Sequence, residues 1–246
     1  MSDEPASGSR DGPPGSRLRY AARTSWPLPA AVLAALALIV GALVVAATVG
    51  QVSAGEASPS EAGSLVLFQL LVALGVVGLA QARDGDAASV LALRRPRQGA
   101  GDFGRAVVAL AAVGGFFITV VSATAPAALE RDMSLANALL SGPDRPLALF
   151  AVLVGAPLAE ELLFRGFLFS AVAKQLGLAS AAILTSLAWT ALHIGYSAWG
   201  LFEVFIVGLV LSWLLVRTGS LWLLIACHAL NNLVVTFVVM PLLLRS

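Results

Sequence analysis

Residues 159–167 read AEELLFRGF. Glu160, Glu161 and Arg165 stand in a stretch that otherwise looks built for lipid, and ionisable groups in such a setting mark a functional site by default. Successive helical residues differ by about 100°, so the two glutamates cannot share one direction. The i,i+4 spacing puts Arg165 on the face of Glu161. Arg165 therefore pairs with Glu161, and Glu160 points elsewhere. Pro157, just ahead, removes a backbone hydrogen bond and can kink the helix at this depth. Further on, WTALHIG sets Trp189 and His193 at i,i+4. CHALNN sets His228 and Asn232 at i,i+4 on one face, with Asn231 turned about 100° away. His193 and His228 are the two histidines of the chain.

A glutamate, two histidines and an amide suit activation of a water for attack on a carbonyl. The glutamate takes the water's proton, and a pocket of low polarity tunes it for that task. Histidine orients the water or donates to the developing charge, and an Asn amide with an imidazole N–H can form an oxyanion hole. Glu160, His193 and His228 could instead bind zinc, with water in the open position, although the HExxH motif is absent. Cys227 adjoins His228, but helical neighbours point about 100° apart, which disfavours a Cys–His dyad. Each residue also has a plainer reading. Glu161 and Arg165 make a structural ion pair, Glu160 a protonated hydrogen-bond donor, His193 a packing residue and Asn232 interhelical glue. Asn231 reads as structural and Glu203 as interfacial. Trp189, Trp199, Trp213 and Trp222 read as packing or interface anchors.

The elements that must hold these groups are membrane helices. Of 246 residues, 59% are hydrophobic and 12% charged, against about 25% charged in soluble domains. Several apolar runs reach the roughly 20 residues a spanning helix needs. The fold class is all-α: a polytopic transmembrane helical bundle of about seven helices (six to eight). The expected spans are 27–49, 64–82, 106–126, 147–175, 179–195, 200–216 and 220–243. Residues 1–25, rich in Gly, Pro, Ser and Arg, read as a disordered cytoplasmic tail. The run that follows is too long for a signal-peptide core. Arginines in the tail and in loop 83–104, with Lys174 and Arg217, fall on one side, so the N-terminus is expected in the cytoplasm. Loop 50–63 has two glutamates and no Lys or Arg, as expected outside. Loop 127–146 is mixed, and loop 83–104 is expected to hold a short interfacial helix.

Spans one to three, within residues 26–140, are nearly free of polar groups and suit close packing. They read as accessory helices. The acids and both histidines lie in residues 141–246. Counted at about 1.5 Å per residue, Glu160, His193, His228 and Asn232 fall at depths of very roughly 12–22 Å, compatible with one hydrated mid-membrane pocket. The lone cysteine excludes an internal disulfide and a Cys-based structural zinc site. No basic patch with interleaved aromatics points to nucleic acid. The expected partners are membrane lipids and a membrane-associated peptide or protein.

Glu160-Glu161-L-L-F-Arg165, Trp189-T-A-L-His193 and His228-A-L-N-Asn232, in this order on successive helices, resemble the three motifs of the CAAX prenyl protease and bacteriocin-processing family of intramembrane proteases. Arg217-T-G-S-L-Trp222 also looks like that family. The resemblance covers about residues 145–240; Trp189 departs from the commoner phenylalanine. It implies that residues 141–246 form the catalytic transmembrane core of an intramembrane endopeptidase, in a prokaryotic plasma membrane. By similarity, Glu160 activates water with help from His193. His228 and Asn232 stabilise the oxyanion, and Glu161 and Arg165 support the site. Its relatives cut prenylated CaaX proteins or serve bacteriocin maturation and self-immunity. Both a zinc mechanism and a metal-free glutamate mechanism are proposed for them. The alternative is a non-enzymatic membrane protein, such as a proton-coupled carrier or a peptide- or lipid-binding scaffold; the missing internal repeat counts against a carrier.

Overall fold

A computed structural model describes residues 19–52, 61–96 and 99–244. Most of the expected tail, Arg97 and the middle of loop 50–63 lie outside these residues. Among the described residues there are eight helices and no strand. They are α1 (Leu28–Val52), α2 (Glu61–Asp84), α3 (Ala87–Val90), α4 (Gly99–Thr124), α5 (Pro126–Leu140), α6 (Arg145–Ala191), α7 (Ala198–Thr218) and α8 (Leu221–Leu243). Six of them, all but α3 and α5, are long and apolar enough to cross a membrane. Large aliphatic side chains such as Leu33, Leu43, Leu74 and Val108 are exposed along their outer faces. A soluble protein would bury such surface, and a bilayer solvates it. The chain is an integral membrane protein.

Six helices and seven expected spans are reconciled within α6. It holds 47 residues, about 70 Å if straight and so roughly twice the hydrocarbon thickness. It is not straight. Gly177 has φ 84° and ψ 169°, a region essentially reserved for glycine. The break separates a first arm, residues 145–176, from a second, 178–191. We predict that Gly177→Ala costs about 1–3 kcal/mol, read as a lower unfolding midpoint in detergent.

The first seven described residues correct the expected tail boundary, because 19–25 are packed. The Arg19 and Tyr20 N–H groups donate to the Val216 carbonyl at 3.0 and 3.3 Å. The Thr24 hydroxyl and the Ser25 N–H donate to Asp84, at 3.0 and 2.6 Å. Lys174 Nζ donates to the Thr24 carbonyl at 2.7 Å. Tyr20 sets its ring edge-on to Phe169, and burial pushes its phenol pKa up to about 12. The segment ties α2, α6 and α7 together at the arginine-rich end.

Loop 83–104 is more than interfacial. Its short α3 and the residues after it turn inward, burying Val90, Leu91 and Ala92. The Ala92 carbonyl accepts from Leu221 N–H at 2.8 Å, and the Ser220 hydroxyl donates to the Arg94 carbonyl. Leu91 rests on Gly166, where an added Cβ would sit 3.0 Å from Leu91 Cδ2. Loop 127–146 likewise contains a helix, α5, that docks on the start of α7. Buried Asp132 accepts from the Ser197 N–H at 2.7 Å and the Ser197 hydroxyl at 2.6 Å. Ser197 in turn caps α7 by accepting from Gly200 N–H. A carboxylate at a helix N-terminus is favoured by the helix dipole. Glu203, read as interfacial, lines a cavity of about 50 Å³ with Asp132 and Tyr196. One hydrophobic core joins Ala31, Val72, Leu91 and Leu110 to Phe164, Leu214 and Leu224, so α1–α4 brace the helices that carry the polar groups.

Candidate active site

The glutamates sit where the backbone of α6 leaves regular helix geometry. Residues Ala151–Gly155 and Glu161–Leu168 form π-helical turns on either side of Ala156–Glu160. Pro157, buried between them, has no N–H to offer the carbonyl four residues back. The wider turns shift the register, so Ala156 N–H reaches Ala151 O and Phe169 N–H reaches Phe164 O. Such insertions recur at functional sites, where they re-aim side chains.

Glu161 and Arg165 are both fully buried, 0% exposed, with Arg165 Nη1 3.2 Å from Glu161 Oε1. The same Oε1 lies 2.9 Å from Nδ1 of buried His228 on α8. A carboxylate only accepts, so this bond assigns the proton to Nδ1. The other imidazole nitrogen, Nε2, then faces Glu160 Oε2 at 4.0 Å. That exceeds hydrogen-bond range: the two groups confront each other across a small gap. Glu160 is the more accessible glutamate, its side chain 21% exposed against 0% for Glu161. Arg165 thus pairs with Glu161 as its spacing predicts, and Glu160 makes no bond to it.

Trp189 corrects the sequence reading, which took it for packing or interface. It is 3% exposed and reaches the site from the second arm of α6. Its indole N–H donates to Glu160 Oε2 at 2.6 Å. The Arg165 guanidinium lies over its ring, 4.4 Å from the centroid, a cation–π contact. The rings of His193 and His228 stand edge-on to it at 5.3 and 5.4 Å.

His193 lies just past the end of α6. Its Nδ1 is 3.1 Å from the Trp189 carbonyl, which again assigns the proton to Nδ1 and leaves Nε2 an acceptor. Among the described residues no hydrogen bond or ion pair joins His193 to Glu160 or His228; Trp189 lies between them. Asn232, one turn beyond His228, donates from Nδ2 to the Val152 carbonyl at 3.0 Å, in the first π-helical turn. Thus Glu160, Glu161, Arg165 and His228 meet directly. His193 joins through Trp189, and Asn232 through the backbone of α6.

Sequence reasoning also missed Gly208 on α7. A Cβ there would lie 2.9 Å from Arg165 Nη2 and 2.8 Å from Ser186 Oγ. The only signal was a glycine within an apolar span. Gly208→Val should displace the guanidinium and cost about 1–3 kcal/mol through overpacking, read as a lower midpoint and reduced turnover.

Glu160, His193 and His228 are also the set read as zinc ligands. Among the described residues no three His, Cys, Asp or Glu side chains are grouped to hold a metal ion. His228 and His193 each commit Nδ1 to a hydrogen bond and leave Nε2 free, as metal-ligating histidines do, while Glu160 Oε2 accepts from an indole N–H.

Every polar group of this site lies within one continuous stretch of the chain. Residues 142–234 match the Rce1-like type II CAAX prenyl endopeptidase family. No curated protein and no solved structure matches the chain. The Rce1-like segment spans α6, α7 and α8 up to Val234, where the π-helical turn Val235–Val239 begins. It contains Glu160, Glu161, Arg165, Trp189, His193, His228 and Asn232, and leaves out α1–α5. The match supports a CAAX-type protease working in a membrane.

Proposed function

We propose that this protein is an intramembrane endopeptidase in which Glu160 activates water for hydrolysis of a peptide bond. The observation that carries the reading is the pair of atoms Glu160 Oε2 and His228 Nε2, 4.0 Å apart, backed by the buried Glu161–Arg165 pair that fixes the imidazole. A water at about 2.8 Å from each atom spans that gap readily.

The steps follow from the geometry. Glu160 takes a proton from the water, whose oxygen attacks the scissile carbonyl carbon. His193 Nε2, an acceptor, orients that water. The carbonyl oxygen gains negative charge. Asn232 has a second amide hydrogen beyond the one held by Val152, and His228 borders the same space, donating from Nε2 only in its doubly protonated form. Donors preset where charge develops are the larger part of such catalysis. As the C–N bond breaks, Glu160 returns the proton to the leaving amine. Residues 141–246 carry this chemistry, with 26–140 as bracing helices. The arginine-rich end faces the cytoplasm, following the positive-inside bias. The substrate is a membrane-associated protein or peptide of CaaX-like or bacteriocin type.

The experiment is cleavage of internally quenched peptides by protein reconstituted in liposomes, with and without a lipidated C-terminal cysteine. Cleavage is expected, faster for substrates that partition into the bilayer. The chain Arg165–Glu161–His228–Glu160 is also what a proton relay uses. Proton flux in the same liposomes with no peptide cut would favour a carrier.

A further inference from the structure

A carboxylate acting as a base has two oxygens, and only one can face the water. The structure distinguishes them at Glu160, and the group that does so is the indole of Trp189. Its N–H donates to Oε2 at 2.6 Å, short even for a bond to a charged acceptor. The ring is 3% exposed, so its N–H has no recourse to bulk water and needs a protein partner. Trp199, Trp213 and Trp222 are all more than a third exposed, as lipid or interface residues are. Trp189 alone among these four is enclosed by the polar cluster, with Arg165 over its face and both imidazoles against it. A phenylalanine would preserve those ring contacts. It would supply no hydrogen to Glu160.

We propose that the Trp189 indole N–H is a positioning group that tethers Glu160 through Oε2 and so fixes, against His228 Nε2, the oxygen that faces the water. Arg165 and the two imidazoles restrain the ring, so the tether is stiff, and it sets the carboxylate's orientation before substrate arrives. Preorganisation of this kind acts on the chemical step rather than on substrate binding. The inference rests on the reading of Glu160 as the base.

The test has a spectroscopic and a kinetic arm. In protein labelled with nitrogen isotope at tryptophan, Trp189→Phe removes one indole N–H resonance and so assigns it. That resonance should lie downfield of the other indoles and move upfield in Glu160→Gln. A resonance indifferent to Glu160→Gln overturns the tether. In the kinetic arm, Trp189→Phe should lower kcat about tenfold to a hundredfold, the worth of a hydrogen bond to a charged group, with KM nearly unchanged. Wild-type kcat in Trp189→Phe overturns the positioning role while leaving Glu160 as the base. If Glu160→Gln itself cleaves like wild type, the base assignment fails and the positioning role falls with it. Should Trp189→Phe not fold, benzothienylalanine inserted at 189 keeps the bicyclic ring, replaces N–H by sulfur, and gives the same comparison.

Discussion

Glu160→Gln is expected to fold, insert and bind substrate while losing hydrolysis by on the order of a hundred- to ten-thousand-fold, the usual worth of a general base. Glutamine keeps the shape of the side chain and an oxygen to accept the Trp189 N–H. It cannot take a proton from water. Glu160 is the partly exposed member of the acid pair and makes no bond to Arg165, so neutralising it strands no buried cation. Thermal unfolding in detergent should therefore change little while cleavage of a quenched peptide disappears. Equal losses in stability and turnover would instead assign Glu160 to structure.

The second large effect concerns the pair behind it. Arg165→Met leaves the fully buried Glu161 carboxylate with His228 as its one remaining polar contact among the described residues. Removing one partner of a buried ion pair costs about 3–5 kcal/mol, so the variant should unfold at markedly lower temperature or denaturant. Glu161→Leu combined with Arg165→Met removes both charges, and such replacements are often neutral or stabilising. The pair here is poorly satisfied: Arg165 Nε and Nη2 and Glu161 Oε2 have no hydrogen-bond partner among the described residues. The double variant should thus recover stability. It should not recover turnover, because His228 Nδ1 has lost the acceptor that fixes its tautomer. Stability restored without activity identifies the pair as holding the imidazole rather than the fold.

How much of this could be read in advance differs from residue to residue. The different directions of Glu160 and Glu161 follow from the 100° step. The Glu161–Arg165 contact survives the widening of the helix into a π-turn, because a long guanidinium side chain absorbs the change in register. The burial of His228 between the two acids follows from polar groups on neighbouring helices seeking one another in lipid. Other features depend on facts that no local pattern encodes. Asn232 turns to Val152 because the π-helical turn presents that carbonyl, and π-turns leave no mark in hydrophobic periodicity. Trp189 is apolar by most of its surface, and only the rotamer and the neighbouring arm of α6 decide that its N–H meets a carboxylate. The sequence of α5, with Glu130, Arg131 and Asp132 in a row, read as a loop. Its buried aspartate has a use only once the start of α7 lies beside it. Gly208 became meaningful when Arg165 was found packed on it.

In the proposed mechanism the partly exposed Glu160, rather than the fully buried Glu161, handles the water. Single-turnover hydrolysis of a bilayer-anchored peptide in isotopically labelled water tests it most directly, with wild type and Glu160→Gln run side by side. The prediction is one labelled oxygen in the new carboxylate from wild type and product slowed at least about a hundredfold from Glu160→Gln. Labelled product from Glu160→Gln at the wild-type rate would contradict it.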